Sequence, residues 1–139
     1  MAQMTEAQRD AFLAGRRYGI LTTNGYDGVP LPIPLWFEWD GDRARLFSSA
    51  TAPKLRRIAA DPRVALLAAN NPDEPEQWVI IKGRAAVVEG DAYPLAQRLA
   101  ARYWDLTDPA KAQTLKDWAS ESWAIVKIVP ETILSSANA

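Results

Sequence analysis

The chain contains no histidine and no cysteine among its 139 residues. Without cysteine it can form no disulfide, thiolate nucleophile or thiolate metal site. Without histidine it can form no Ser-His-Asp triad and no His-ligated zinc or haem. We therefore expect no metal site, and residue type alone leaves the catalytic residues unassigned.

Long apolar runs and a strong charge imbalance are also missing. No run approaches the ~18 apolar residues of a transmembrane helix, and the N-terminal MAQMTEAQRD has no apolar signal-peptide core. The formal net charge of -1 favours neither nucleic acid nor an anionic membrane. We expect a cytoplasmic protein with one domain over residues 1–139, for which a hydrophobic content of 48% supplies a core.

The order of patterns predicts a mainly β protein with peripheral helices. Six strands, mostly joined by hairpins, are predicted at residues 18–23, 29–39, 43–47, 64–69, 78–89 and 122–129. Helices are predicted at residues 5–15, with a Thr5/Gln8 capping box, at residues 53–60, from Asp91, and from Asp108-Pro109. This order fits an antiparallel barrel, open or closed.

Three prolines alternate along the second strand, at Pro30, Pro32 and Pro34. Backbone N–H groups at alternate positions of a strand point to the same side, and proline has none. That side cannot form a regular ladder, so this is an edge strand or a strand whose unpaired side faces a ligand or a partner chain.

A corner rich in hydroxyl groups joins the third strand to the second helix. Helix N-terminal N–H groups, hydroxyl donors and an ammonium group could together hold a phosphate. The alternative is a hydroxyl N-cap followed by a solvated basic helix face. The residues concerned are Ser48, Ser49, Thr51 and Lys54, followed by Arg56 and Arg57.

Six tryptophans are many for this length. Tryptophan packs in cores and subunit interfaces, and it also flanks planar ligands. Both interpretations remain open for individual tryptophans of this chain.

Three segments resemble the flavin-binding split β-barrel superfamily, which includes pyridoxamine 5'-phosphate oxidase and the deazaflavin (F420)-dependent reductases. They are PLWFEWDG, LFSSATAPKLRRIAADPRVALL and WVIIKGRAAVV. The resemblance covers residues 18–89 and extends to the last strand. It implies a six-stranded split barrel acting as a homodimer, with two cofactors in clefts at the interface.

The resemblance also implies roles for individual residues. Lys54 would bind the cofactor phosphate, and the strand-end serines Ser48 and Ser49 would add contacts, beside Thr51 of the same corner. A further set would surround the ring system: Pro34, Leu35 and Trp36 of one subunit, with Trp78 and Trp104 of the other.

The chain departs from the pyridoxamine phosphate oxidases at three places. Pro32 stands where they have an arginine, Ala52-Pro53 replaces a Ser-Arg pair, and IVPETILSSANA lacks their Arg/His element. These differences argue against pyridoxamine phosphate as the substrate and favour a related reductase.

We therefore expect an FMN-binding oxidoreductase that transfers hydride to or from a small, unidentified substrate, with the hydride chemistry supplied by the cofactor. One alternative is an F420-dependent reductase, whose acidic tail would favour several cations in one groove. The i, i+2, i+3 spacing of Lys54, Arg56 and Arg57 spreads them around the helix and counts against it. Two interpretations without catalysis also stay open: a non-enzymatic flavin-binding or sensor protein, and a structural dimer without cofactor.

Overall fold

The computed structural model of the chain describes residues 2–138. Within that range one antiparallel sheet is accompanied by four helices. The strands are β1 (Gly19–Asn24), β2 (Pro30–Leu35), β3 (Glu38–Trp39), β4 (Ala44–Ser49), β5 (Arg63–Ala69), β6 (Gln77–Val88) and β7 (Trp123–Ala137). The helices are α1 (Glu6–Ala14), α2 (Pro53–Ala60), α3 (Tyr93–Tyr103) and α4 (Pro109–Trp118).

The sheet curls into a split barrel. Its strand order is β2-β1-β5-β6-β7-β4-β3, so β2 and β3 form opposite edges. Only Trp36 and Phe37 separate these two strands in the chain. Three peptide steps of 3.8 Å span at most about 11 Å, so the two edges approach each other at this point. The prediction of a mainly β, antiparallel barrel is confirmed.

The predicted number of strands is wrong, because the segment 29–39 forms two strands instead of one. The ring of Phe37 is fully buried. Its backbone N–H donates to the Tyr103 hydroxyl at 3.4 Å, and that hydroxyl donates its own hydrogen to the Arg17 carbonyl at 2.6 Å. A side chain thus takes the place of a neighbouring strand, and the ladder is interrupted. Over residues 2–138 the sheet therefore has seven strands.

The last strand is longer than predicted. It was predicted to end at residue 129, just before Pro130, but β7 continues to Ala137 and pairs with the whole of β6. The register shifts between Lys82 and Gly83, and Pro130 lies opposite Gly83. Proline is tolerated at such a bulge. A Cβ atom on Gly83 would stand 2.0 Å from the Val129 carbonyl oxygen, so only glycine fits there.

The helices agree more closely with the sequence. The Thr5 hydroxyl accepts from the Gln8 backbone N–H at 3.1 Å, and the Gln8 amide accepts from the Thr5 N–H at 2.8 Å, which confirms the capping box. Helix α2 has the predicted bounds. Helix α3 begins at Tyr93, two residues later than predicted, because the Asp91 carboxylate accepts from the Tyr93 N–H.

Strand β2 is an edge strand, as its prolines predict. Within the part of the chain that the structure describes it pairs only with β1, where Pro34 lies opposite Ile20 and Ile33 opposite Leu21. Since the prolines cannot donate, the bonds to β1 come from the alternate residues, and the proline carbonyls line the outer edge. None of the helices in residues 2–138 is both long and apolar enough to cross a membrane.

Candidate functional site

The hydroxyl corner, residues 48–51, lies where β4 ends and the chain enters α2. Ser48 is buried, and its Oγ donates to the Ser49 carbonyl at 3.1 Å. Ser49 and Thr51 are exposed, with their hydroxyl oxygens 3.3 Å apart. The Ser48 hydroxyl is therefore engaged inside the protein, and Ser49 and Thr51 present the accessible hydroxyl groups.

Neither hydroxyl caps α2, so the N-cap interpretation of the corner is wrong. The N-cap residue is Ala52, which makes no side-chain hydrogen bond to the helix. Pro53 occupies the first turn, where its missing N–H costs nothing. The hydroxyls of Ser49 and Thr51 consequently remain free to bind a ligand at this helix start.

Lys54 is half-buried and close to a second cation. Burial lowers the pKa of its ammonium group, and the neighbouring Arg57 guanidinium lowers it further. Arg57 uses its Nε to donate to the Thr23 hydroxyl at 2.9 Å, which fixes it against β1. Among the ion pairs of residues 2–138, neither Lys54 nor Arg57 has a carboxylate partner within 4.0 Å. Two adjacent cations are thus left without a counter-ion.

A groove of about 420 Å³ opens between the β1–β2 loop and α2. We call it the basic groove. Arg56 and Arg57 both line it, whereas Lys54 does not, so the three cations predicted to diverge around the helix do not all meet in this groove. Its lining includes Tyr26, Val29, Leu31, Pro53, Arg56 and Arg57.

The ring of Trp36 packs against other aromatic side chains of the same chain. It stacks on Tyr103 with centroids 5.2 Å apart and an interplanar angle of 3°, and it meets Trp104 edge-on at 4.9 Å. Trp36 and Trp104, which the prediction drew from different subunits, therefore lie together. They form part of an aromatic groove of about 330 Å³, lined by Trp36, Phe47, Trp104, Trp118 and Trp123.

Trp78 lies at the opposite end of the sheet from the hydroxyl corner. It pairs with Ser136, whereas Ser49 pairs with Trp123 at the other end of β7. Ten residue steps along β6 lead from Trp78 to Val88, on the order of 30 Å at the rise of a strand. The assignment of a partner chain's Trp78 to the cofactor cleft stays a prediction.

Trp118 was absent from the predicted site, and Arg57 was considered only as a cation for the F420 alternative. Arg57 stands three residues after Lys54, which places these two side chains on one helix face, although the spacing of all three cations was taken to spread them around the helix. Trp118 gave no local signal. Within residues 2–138 no group of three or more acidic residues could hold a metal ion.

Comparison with known families identifies the class of protein. The family model described as pyridoxamine 5'-phosphate oxidase matches residues 4–133. The chain belongs to this family, and its fold is one associated with flavin- and deazaflavin-dependent oxidoreductases. A comparison with curated proteins gave no significant match.

Solved structures resemble the chain over most of its length. An F420 reductase is 28% identical, with a TM-score of 0.71 over 89% of this chain and 94% of that one. A conserved hypothetical protein of Mycobacterium tuberculosis is 25% identical, with a TM-score of 0.70 over 96% and 85%. A Listeria innocua protein provisionally named a pyridoxamine 5'-phosphate oxidase is 26% identical, with a TM-score of 0.66 over 92% and 94%.

Proposed function

We propose that the chain is an oxidoreductase that binds a flavin-type cofactor and transfers hydride to or from a small molecule. The cofactor phosphate would lie at Lys54 and Arg57, with the hydroxyls of Ser49 and Thr51 as further donors. The proposal combines the family membership with one feature of this chain, the cation pair without a counter-ion.

The cation pair carries the proposal. A half-buried ammonium beside a guanidinium is unfavourable without an anion, and the lowered pKa of Lys54 expresses that cost. A phosphate would offset the repulsion and accept charge-assisted hydrogen bonds from both groups. The exposed hydroxyls of Ser49 and Thr51 stand at the same helix start, so the residues fit a phosphate group.

The outer edge of β2 would position the ring system. Leu31 lines the basic groove and Leu35 ends the strand, so the two are about 13 Å apart at a rise of 3.3 Å per residue. A cofactor with its phosphate on an extended ribityl chain could reach from the groove to Pro34 and Leu35. The backbone N–H of Trp36 follows the last proline and would be the first donor along that edge.

F420 is the cofactor that we favour. The F420 reductase is 28% identical over 89% of the chain, and Arg56 and Arg57 supply two cations to the basic groove, as an acidic tail would require. FMN is the second candidate, since the family model carries the name of an oxidase of phosphorylated pyridoxamine. Both would place a phosphate at Lys54.

We further propose that the working form is a homodimer. Tyr26, Val29 and Leu31 are exposed apolar side chains beside the edge strand β2. A partner chain would cover them and bring its Trp78 to the cofactor cleft. Sedimentation at micromolar concentration is expected to give twice the 15.4 kDa of one chain, and a single-chain mass would contradict the interface site.

The bound cofactor would supply the hydride chemistry, and the chain would bind, orient and exclude water. Lys54 and Arg57 would hold the phosphate, and the β2 edge would fix the ring. Tyr103 is unsuited to proton transfer, because its hydroxyl is engaged with the Arg17 carbonyl at 2.6 Å and burial raises its pKa. Protons would therefore come from water.

Parallel titration of the cofactor-free protein with F420 and with FMN tests the proposal. Intrinsic tryptophan fluorescence is the readout, because aromatic side chains surround the expected site. Tight binding of F420 supports the favoured cofactor, and tight binding of FMN alone supports the second candidate. If neither binds at micromolar concentration, the proposed function is wrong.

A further inference from the structure

The aromatic groove is built differently from the basic groove and takes no part in holding the phosphate. Its five rings come from the turn after β2, from β4, from the end of α3, from α4 and from β7. Neighbouring centroids lie 4.9 to 6.3 Å apart, the spacing of stacked and edge-on aromatic pairs. The volume of about 330 Å³ falls in the range of small-molecule sites.

Three indole groups in this groove keep their N–H donors available. In residues 2–138 the indole N–H groups that donate within the chain belong to Trp39, bonded to Asp10, and Trp123, bonded to the Trp118 carbonyl. Arg102 Nε is the one buried side-chain nitrogen or oxygen without a partner in that range. Trp36, Trp104 and Trp118 are half-buried, and their indole nitrogens have no hydrogen-bond partner within the described part of the chain but are not among the buried atoms that lack one. These indole N–H groups therefore reach solvent.

The wall formed by α4 is lightly packed. This helix has no buried residue and contacts mainly α3. Trp118, its last residue, lies within 5.6 Å of Phe47, Trp104 and Trp123 by ring centroids. Trp118 thus attaches α4 to the sheet and at the same time offers a ring surface to the groove.

The groove also adjoins the candidate cofactor site. Trp123 lies directly opposite Ser49 in the β4–β7 pair, so the two side chains share one face of the sheet. Trp36 follows the β2 edge that would position the cofactor ring. A molecule in the groove would therefore lie next to the phosphate corner on one side and next to the start of the ring site on the other.

We propose that the aromatic groove binds the substrate, and that this substrate is a planar, conjugated, uncharged molecule bearing hydrogen-bond acceptors such as carbonyl oxygens. Stacked rings select a flat apolar body, and free indole N–H groups select acceptors at its rim. The absence of acidic and basic side chains from the lining selects against a charged molecule. The role of this molecule as a substrate rests on the proposed function, whereas its binding in the aromatic groove does not.

The test uses the full chain without cofactor and 1,4-naphthoquinone as the probe. Quinones add to cysteine thiols, and the chain has no cysteine with which the probe could react. The six indole N–H resonances are recorded in a ¹H–¹⁵N spectrum and assigned with single Trp→Phe variants. We expect the probe to shift the resonances of Trp36, Trp104 and Trp118 and to leave Trp39 and Trp78 in place. Equal shifts at all six, shifts at Trp39 or Trp78 alone, or no shifts would overturn the proposal.

Two matched comparisons define the chemistry. Cyclohexane-1,4-dione has the carbonyls without the flat conjugated body, and naphthalene has the flat body without acceptors, so both are expected to bind more weakly. Trp118→Leu should weaken naphthoquinone binding about tenfold, the effect of removing one stacking surface, whereas Trp39→Leu should not. Equal affinity in the two variants, with thermal unfolding confirming that both are folded, would contradict the assignment.

A second copy of the chain is the competing occupant. If dilution of the protein alone moves the Trp104 and Trp118 resonances, the partner covers the groove and the substrate site is elsewhere. The naphthoquinone experiment is independent of the test of the proposed function, because the cofactor titration measures binding at Lys54. Naphthoquinone binding without cofactor binding would keep the groove and reject the oxidoreductase.

Discussion

Replacing Lys54 by methionine should separate the affinity for cofactor from the stability of the fold. Methionine keeps most of the aliphatic stem that packs in the half-buried position and removes the charge. One charge-assisted hydrogen bond contributes about 1.5–3 kcal/mol. Because each 1.4 kcal/mol is a factor of ten, the dissociation constant of the cofactor should rise about 10- to 100-fold.

The same change should leave the stability of the cofactor-free protein unchanged or higher. The folded pKa of Lys54 lies below its usual 10.5 because of burial and of Arg57. The charged form is therefore disfavoured by folding at neutral pH, and this penalty fades as the pH rises toward 10.5. The free energy of unfolding of the wild type, relative to Lys54→Met, should increase over that pH interval.

The assay is cofactor titration at fixed ionic strength, with urea unfolding of the same samples. Lys116→Met makes the same charge change on the exposed side of α4 and should alter neither quantity. An unchanged dissociation constant in Lys54→Met would refute the phosphate assignment. A large loss of stability would show that the ammonium is needed for folding and would refute the reasoning on its pKa.

Three further predictions concern the scaffold. Glu74→Gln should destabilise the protein by about 1–3 kcal/mol in urea unfolding, because the buried Arg17 loses its carboxylate partner at 2.9 Å. An unchanged midpoint of urea unfolding would contradict this prediction. Gly83→Ala should destabilise it by at least about 1–3 kcal/mol in the same assay, since its Cβ would overlap the opposite carbonyl, and wild-type stability would show that the bulge relaxes freely. For Asp40, partial burial raises the pKa, but hydrogen bonds from Arg45 and the turn backbone outweigh it and lower the pKa from 3.8 to about 2. Its stabilisation should be present above pH 3.8 and lost as the pH falls through about 2, which carboxyl NMR titration would confirm, whereas a pKa near 3.8 would not fit.

Local signals were read correctly from the sequence where neighbouring residues decide the structure. The capping box of α1 and the bounds of α2 depend on hydrogen bonds and proline geometry within one turn. The edge position of β2 follows from the missing N–H groups of Pro30, Pro32 and Pro34, which no tertiary contact can replace.

Long-range contacts decided the features that were misjudged. The interruption at Phe37 depends on the Tyr103 hydroxyl, 66 residues away in the chain. The continuation of β7 beyond Pro130 depends on Gly83 of the neighbouring strand. Likewise, the aromatic groove unites rings from Trp36 to Trp123, and no local spacing in the sequence could have indicated it.

The most direct test of the central claim follows the ammonium of Lys54 itself. Reductive ¹³C-methylation labels the five lysines of the chain, and a Lys54→Arg variant assigns the signal. We predict that the pKa of Lys54 lies below its usual 10.5 in the cofactor-free protein, and that it rises when the phosphate-bearing cofactor binds. A Lys54 pKa that stays the same in the saturated complex would contradict the phosphate site.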